Sequence, residues 1–205
     1  SDPSVDQSVR GKASATRSRG VAGCVARVRG LCHRSSMETI TLRPWSVDDI
    51  GLLRLANTAE MTAHLNGPET EEQLAARSAR YLRLRETGEA RMFVIEDDAT
   101  RAVGSIGHWK TEWRDQPALE TGWFVVPAAQ GRGIASRALR LLIDDARVHR
   151  DGRRFLTAFP SVTNPGSNAL CRRGGFDLVG SVTATFRAAE LTMNEWVFDL
   201  ERDRR

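Results

Sequence analysis

The sequence predicts a mixed α/β fold, in which one β-sheet is interleaved with helices. Runs rich in β-branched and aromatic residues alternate with longer segments whose apolar residues recur every three or four positions. Gly and Pro pairs separate these segments, and no internal repeat is evident. The resulting order of elements, β-αα-βββ-α-β-α-ββ, is typical of a mixed sheet with packed helices.

The apolar pattern and the turn residues place the individual elements. The polar segment 97–101 lies between two strands and predicts a hairpin. The helix that begins near residue 134 has one predicted buried face, formed by Ile134, Ala138, Leu141, Leu142 and Ala146. The predicted strands are 38–44, 91–96, 102–109, 119–126, 154–159, 176–182 and 193–200, and the predicted helices are 47–63, 71–86 and those beginning near 134 and 164.

Three helix starts carry capping signals. Ser46 is followed three residues later by Asp49, and Thr70 is followed in the same way by Gln73. Asn164 precedes a proline, whose missing N–H is not needed in the first turn of a helix.

Charge divides the chain into a basic tail and a nearly neutral domain. Residues 1–36 contain seven Arg or Lys and two Asp, which gives them a net charge of +5. Residues 37–205 have a net charge of −1, so the whole chain has a net charge of +4. We expect one globular domain over 37–205 and a tail over 1–36 that is partly disordered or docked on it. The tail is a native segment, a processed one or an upstream translation artefact preceding Met37. A neutral domain predicts no nucleic-acid partner outside the tail.

Apolar runs and cysteines exclude further classes of protein. No run approaches the roughly 20 apolar residues of a membrane helix, so no membrane partner is expected. Cys24, Cys32 and Cys171 have no CxxC spacing, which argues against a disulfide framework and a metal site. A cytoplasmic location is the corresponding expectation.

The stretch 130-QGRGIASRAL-139 places two glycines and an arginine at the start of a helix. Glycines allow a ligand to approach the backbone, and a helix N-terminus offers N–H groups and a partial positive charge. This combination predicts a phosphate or pyrophosphate site. A plain strand-to-helix turn is the simpler interpretation.

Two nucleotide motifs do not fit this stretch. A P-loop needs Gly-Lys-[Ser/Thr], which the chain lacks. A dinucleotide fingerprint needs a third small residue where Ser136 stands, and it belongs at the first strand of its domain rather than after several.

Two sequence blocks resemble the GNAT acyltransferases. The run 120-ETGWFVVPAAQGRGIASRAL-139 resembles their acetyl-CoA signature, Q/R-x-x-G-x-G/A, at Gln130, Gly133 and Ala135. The run 164-NPGSNALCRRGGF-176 resembles the helix that follows it in that family. The resemblance spans about residues 38–200, and 44-PWSVDDI-50 with 64-HLNGPET-70 resembles the ribosomal-protein N-terminal acetyltransferases.

The resemblance implies a mostly antiparallel sheet in which strands 119–126 and 154–159 splay apart and receive acetyl-CoA as co-substrate. The backbone of 124–126 would pair with pantetheine like an added strand. The amides of 131–136 would hold the pyrophosphate. The implied cofactor-binding residues are Phe124, Val125, Val126, Gln130, Gly131, Arg132, Gly133, Ile134, Ala135, Ser136, Asn164 and Ser167.

The implied reaction is attack of an amine on a thioester, which needs a proton acceptor and a proton donor. Glu120 occupies the position where the family often has a glutamate that acts as the base. The alternative is that Glu120 is structural or binds the substrate ammonium group. Cys171 stands where many relatives have a tyrosine acid, and it is the implied proton donor; the alternative is a packing role.

An acceptor pocket is expected from the first two helices and the loop 110–119. Aromatic and acidic side chains there would suit a cationic amine. A peptide N-terminus and a small-molecule amine are both left open, as are the acyl-chain preference and a homodimer. The side chains expected in the pocket are Trp109, Trp113, Trp123, Glu112 and Asp115.

The leading prediction is thus an acetyl-CoA-dependent N-acetyltransferase that acts by direct attack in a ternary complex. A non-catalytic acyl-CoA-binding sensor on the same fold is the alternative, because the tyrosine is missing. A nucleic-acid binder that uses the basic tail is a third class.

Overall fold

The computed structural model describes residues 39–186 and 189–202 together with the backbone of residues 6–7. The expectations for the rest of the tail 1–36 lie outside the described residues. The strands are β1 Asp6–Gln7, β2 Thr41–Pro44, β3 Ala90–Glu96, β4 Ala102–Trp113, β5 Gln116–Val125, β6 Phe155–Ala158, β7 Asp177–Phe186 and β8 Ala189–Asp199, and the helices are α1 Ile50–Ala56, α2 Glu71–Glu86, α3 Ile134–Val148 and α4 Pro165–Arg173.

One sheet carries all the strands, in the order β2-β3-β4-β5-β6-β8-β7. Neighbours along this order are antiparallel except β5 and β6, which are parallel. The backbone of β1 pairs in parallel with β5 outside this order. The predicted mixed, mostly antiparallel α/β fold is confirmed. Within the described ranges, no helix combines the length and apolarity needed to cross a membrane.

Strand alternation gives the sheet two faces, and helices cover both. On one face Leu119 and Trp123 of β5 join the core cluster that contains Ala138 and Leu142 of α3. On the other face Phe124 packs with residues of α1 and α2. We call these the α3 face and the α1–α2 face. Side chains of successive strand residues point to opposite faces, which decides what each position of β5 can contact.

Helix α2 begins and ends as predicted, but α1 is shorter than the predicted helix 47–63. Thr70 and Gln73 form the expected reciprocal cap, with each backbone N–H donating to the other side chain at 2.7 and 3.2 Å. Helix α1 ends at Ala56 because the Asn57 side chain binds the main chain of Glu69. Its amide NH₂ donates to Glu69 O, and its amide oxygen accepts from the Glu69 N–H, both at 2.8 Å. The chain then continues in turns through residues 58–67.

The predicted loop 110–119 is a pair of strands joined by a tight turn. Strand β4 continues to Trp113 and β5 starts at Gln116, in antiparallel register. Only Arg114 and Asp115 turn the chain, with φ of 50° and 60°. Two residues of positive φ suit the right-handed twist of a hairpin, so the strands extend further than their composition suggested.

Helix α3 buries the predicted face with one correction. Leu141 is 40% exposed, whereas Leu139 and Ile143 are buried in the core cluster. The buried face of α3 differs from the predicted one because α3 lies between the sheet and α4. Residues that face α4 are therefore buried as well.

Asp145 of α3 is the centre of a polar network that ties this helix to the sheet. Its carboxylate accepts two hydrogen bonds from Arg91 of β3 at 2.8 Å, and Nε2 of the buried His108 of β4 lies 2.9 Å away. Burial alone would raise the pKa of Asp145, but the hydrogen bonds and charges of His108 and Arg91 hold it well below its usual value. The network therefore stabilises the fold in its ionised form.

Replacing Asp145 with Ala is expected to lower the free energy of unfolding by about 2–3 kcal/mol at pH 7, because it leaves Arg91 and His108 without their shared partner. A carboxylate with a lowered folded-state pKa contributes stability above its unfolded pKa of about 3.9 and loses it as the pH falls. The difference in the free energy of unfolding between this variant and wild type should thus become smaller below about pH 4. Urea unfolding across this pH range measures it, with Asp177→Ala, at an exposed ion pair, as the control. Equal losses in the two variants would contradict the prediction.

Candidate active site

A gap opens between the neighbouring parallel strands β5 and β6. They pair only at Leu119 with Leu156 and at Glu120 with Thr157. Beyond these positions β5 continues beside β4 to Val125, while β6 continues beside β8. The predicted splay of strands 119–126 and 154–159 is therefore present, and beyond Glu120 the edge of β5 that faces β6 is not paired with it.

The register decides which backbone groups of β5 face this gap. The Val126 N–H donates to Val103 O on β4 at 2.9 Å, and Phe124 stands opposite Ser105 two positions away. Residues of an antiparallel strand alternate between facing their partner and facing away. Of the predicted residues 124–126, only Val125 thus presents its backbone to the gap, and Trp123 is the second residue to do so. The backbone of β1 pairs with β5 at Trp123 and Phe124, which shows that this edge accepts an extended chain.

The glycine turn, residues 130–136, lies at the end of the gap where α3 begins. Gly131 and Gly133 have φ of 78° and 74°, and Gly133 is the residue before α3. A Cβ on Gly131 would meet no other atom within 4 Å. Glycine is therefore required for the left-handed backbone and not by crowding, and the space beside this backbone is open to a ligand.

The remaining residues of the turn hold it in place. The Gln130 side chain donates to Val125 O at 2.9 Å, so it fastens the turn to the end of β5. The intrahelical hydrogen bonds of α3 begin with Arg137 N–H and Gly133 O at 3.2 Å. The N–H groups of the first turn before it, those of Ile134, Ala135 and Ser136, belong to the part of a helix that lacks internal acceptors. Ile134 itself is buried, so its side chain serves the core.

Helix α4 begins on the other side of the gap. The Asn164 side chain accepts from the Ser167 N–H at 3.0 Å, and both residues are fully buried. Asn164 is thus a helix cap, as the sequence predicted. It follows the β6–α4 loop, which begins at the end of β6 where that strand parts from β5.

Glu120 lies where β5 and β6 part. It stands beside Trp109 on β4 and Thr157 on β6, and its residue is only 9% exposed. By strand alternation it belongs to the α1–α2 face, as does Phe124. A carboxylate at the inner end of the gap can accept a proton from a group that enters there.

Cys171 is fully buried in α4. It belongs to the apolar cluster on the α3 face, together with Leu139, Leu170 and Phe176. These surroundings are those of a packing residue. In the described parts of the chain, no three His, Cys, Asp or Glu side chains lie close enough to hold a metal ion.

The three tryptophans expected in one acceptor pocket do not come together. Trp123 is in the core on the α3 face, whereas Trp109 packs on the α1–α2 cluster. The Trp113 indole donates to Glu195 at 2.5 Å, and the Arg114 guanidinium covers its ring. The other two expected members, Glu112 and Asp115, are exposed at the hairpin end. The pocket prediction is wrong for Trp123, because alternation along the strands places its ring on the α3 face, whereas Trp109 and Trp113 are four residues apart on β4 and share the other face.

A segment that begins within the first predicted helix, one of the elements expected at the acceptor pocket, contacts both sides of the gap. Residues 58–67, here called the crossing segment, touch both of its walls. Sδ of Met61 lies 3.3 Å from Nε2 of Gln130 at the glycine turn. His64 Nδ1 lies 2.9 Å from Thr163 Oγ1, one residue before Asn164. Residues 58–63 of this segment were predicted as the end of the first helix, and no local sequence signal shows that the segment contacts two distant loops.

Sequence comparison agrees with this geometry. Residues 39–177, more than half of the chain, match the family described as Acetyltransferase (GNAT) domain. The ribosomal-protein-serine acetyltransferase of Escherichia coli (strain K12) is 33% identical over 129 residues, which are 60% of this chain and 69% of that protein.

Solved structures share the fold. RimL, a ribosomal L7/L12 alpha-N-protein acetyltransferase in complex with coenzyme A, superposes with a TM-score of 0.68 at 24% identity, covering 80% of this chain and 96% of that one. A spermidine N-acetyltransferase from Vibrio cholerae, in complex with CoA and spermine, superposes with a TM-score of 0.66 at 18% identity, covering 78% and 95%. Together with the gap, the glycine turn and the family match, these findings show that the chain belongs to the GNAT family and is an acetyl-CoA-dependent N-acetyltransferase.

Proposed function

We propose that the protein transfers an acetyl group from acetyl-CoA to a primary amine at a peptide N-terminus, by direct attack in a ternary complex. The observation that carries the reaction is the gap between β5 and β6, with the glycine turn at one end and Glu120 at the other. The peptide N-terminus is inferred from the E. coli relative, whose name specifies a ribosomal-protein serine. The catalytic domain is proposed to be 37–205, with 1–36 as a tail.

Acetyl-CoA fits the residues that line the gap. The amides of the glycine turn would hold the pyrophosphate, because they combine N–H groups, a helix N-terminus and open space at Gly131. The backbone of Val125 and Trp123 would pair with the pantetheine arm. Because β1 pairs with the same edge at Trp123, β1 and the pantetheine arm would exclude each other there. Asn164 and Ser167 would form the opposite wall.

The amine enters from the α1–α2 face in this proposal. Its ammonium form cannot attack, so one proton must first leave, and Glu120 is the carboxylate that takes it. The neutral amine nitrogen then bonds to the thioester carbon, and the bond from carbon to sulfur breaks. Coenzyme A departs as a thiolate that needs a proton.

Replacing Gly133 with Trp is expected to raise the KM for acetyl-CoA at least about 10-fold, because a side chain would occupy the approach to the amides and strain a backbone with φ of 74°. Release of coenzyme A thiol with an N-terminal peptide panel, with spermidine included, measures it. Gly152→Trp is the control, since Gly152 has φ of 79° in a turn far from the gap. If both variants keep the wild-type KM, the pyrophosphate is bound elsewhere.

Replacing Glu120 with Gln is expected to lower kcat about 100-fold while changing the Kd for acetyl-CoA less than about threefold, because the amide keeps the size but not the basicity of the carboxylate. Steady-state rates from pH 6 to 9 and calorimetric binding measure the two quantities. Glu112→Gln, on the exposed end of β4, is the control. An unchanged rate across the pH range would dismiss Glu120 as the base.

Replacing Cys171 with Ala separates the proton-donor and packing roles. Its complete burial among apolar side chains supports packing. We therefore expect kcat within about twofold of wild type and a loss of about 1 kcal/mol of stability, the usual effect of a small cavity. Thermal unfolding and thiol release measure the two effects. A fall in kcat of about 100-fold with unchanged stability would instead support Cys171 as the acid.

A further inference from the structure

The crossing segment brings one histidine to the wall of the gap. Its two ends are anchored on opposite sides: Met61 contacts Gln130 beside the glycine turn, and Asn66 donates to Phe186 O at the end of β7. His64 lies between them, half-buried, against Thr163 of the β6–α4 loop. The imidazole therefore borders the gap in which the thioester would lie.

A chain of hydroxyl groups fixes the ring. Nδ1 of His64 lies 2.9 Å from Thr163 Oγ1, which lies 2.9 Å from Ser161 Oγ. Ser161 is buried, and its backbone forms an isolated bridge with Met193 of β8. If Nδ1 donates to Thr163, the lone pair is on Nε2, which has no hydrogen-bond partner among the described residues. In this tautomer one nitrogen is held by the protein, and the lone pair of the other can take a proton from a reacting group.

The ring has neutral surroundings. The two side chains that hold it, Thr163 and Ser161, carry no charge. Burial alone lowers the pKa of His64, and no charged group of the described chain contributes. The imidazole is therefore neutral near pH 7 and can accept a proton.

The reaction has a second proton that Glu120 does not account for. After the neutral amine attacks, its nitrogen is positively charged and must lose another proton, while the departing thiolate must gain one. We propose that His64 carries this proton, with Nε2 as a shuttle between the two atoms. The inference rests on the proposed function and adds a catalytic residue to it.

The step is balanced. Nε2 takes a proton from the nitrogen of the tetrahedral intermediate, and the imidazolium returns that proton to sulfur as the bond from carbon to sulfur breaks. The amide and the coenzyme A thiol leave, and the imidazole ends neutral. No oxidant, metal or further reactant is consumed.

Replacing His64 with Gln is expected to lower kcat about 100-fold with less than about a threefold change in the Kd for acetyl-CoA, because glutamine cannot carry a proton. Added imidazole should restore part of the lost rate. The matched control is His149→Gln, a histidine on the exposed end of α3 whose partner is Asp145. Thr163→Val, which removes the hydrogen bond to Nδ1, should give an intermediate loss. A wild-type rate for His64→Gln, or no imidazole rescue, would overturn the shuttle.

An equilibrium measurement tests the same contact without an acceptor. The His64 ring is followed by NMR titration in the full chain with coenzyme A and with desulfo-coenzyme A, which lacks the sulfur. We expect the two complexes to give different His64 pKa values, because only the thiol can interact with Nε2. Identical titrations would place the ring away from the sulfur and overturn the proposal.

The outcomes separate this inference from the proposed function. If wild type binds coenzyme A and acetylates peptides while His64→Gln is unimpaired, only the shuttle fails. If wild type binds no coenzyme A in either form, the proposed function fails and the shuttle fails with it. If it binds but no peptide or spermidine is acetylated, the acceptor proposal fails, and the comparison of the two coenzyme forms still decides the role of His64.

Discussion

The parting of β5 and β6 is the constraint on which the rest of the site depends. Central strands of a sheet normally satisfy their backbone groups on both sides, and an open edge inside a protein is costly unless something pairs with it. Here β5 is fully paired with β4 and joined to β6 at two positions only. Beyond Glu120 this edge pairs with the backbone of β1, and it is the edge at which we propose that acetyl-CoA binds.

In the proposed function, the two substrates approach from the two faces of the sheet. The glycine turn leads into α3, which packs on one face, whereas Glu120 and the crossing segment belong to the other. A ligand can enter a gap between two strands from either face of the sheet, whereas paired strands leave no passage between the faces. Donor and acceptor can therefore meet at β5 without competing for one entrance, which is what direct attack in a ternary complex requires.

Proton transfer is where this chain departs most from the pattern of its family. The position that often carries a tyrosine acid is filled by Cys171, which is buried among apolar side chains. The chain's one tyrosine, Tyr81, is buried in α2, and burial raises its pKa. Among the residues that the structure describes, His64 and Glu120 are the two ionisable groups that we propose for proton transfer.

The sequence by itself determined the order of the elements, the caps at Thr70 and Asn164 and the glycine turn, because each depends on neighbours within a few residues. The family motifs, which are also local patterns, identified acetyl-CoA, and they predict Glu120 as the base. Only the tertiary structure decided that Asn57 ends α1, that 110–119 is strand, that alternation separates Trp109 from Trp123, and that residues 58–67 cross the gap. These features depend on contacts such as His64 with Thr163, about 100 positions apart in the chain, and no local periodicity encodes a contact at that separation.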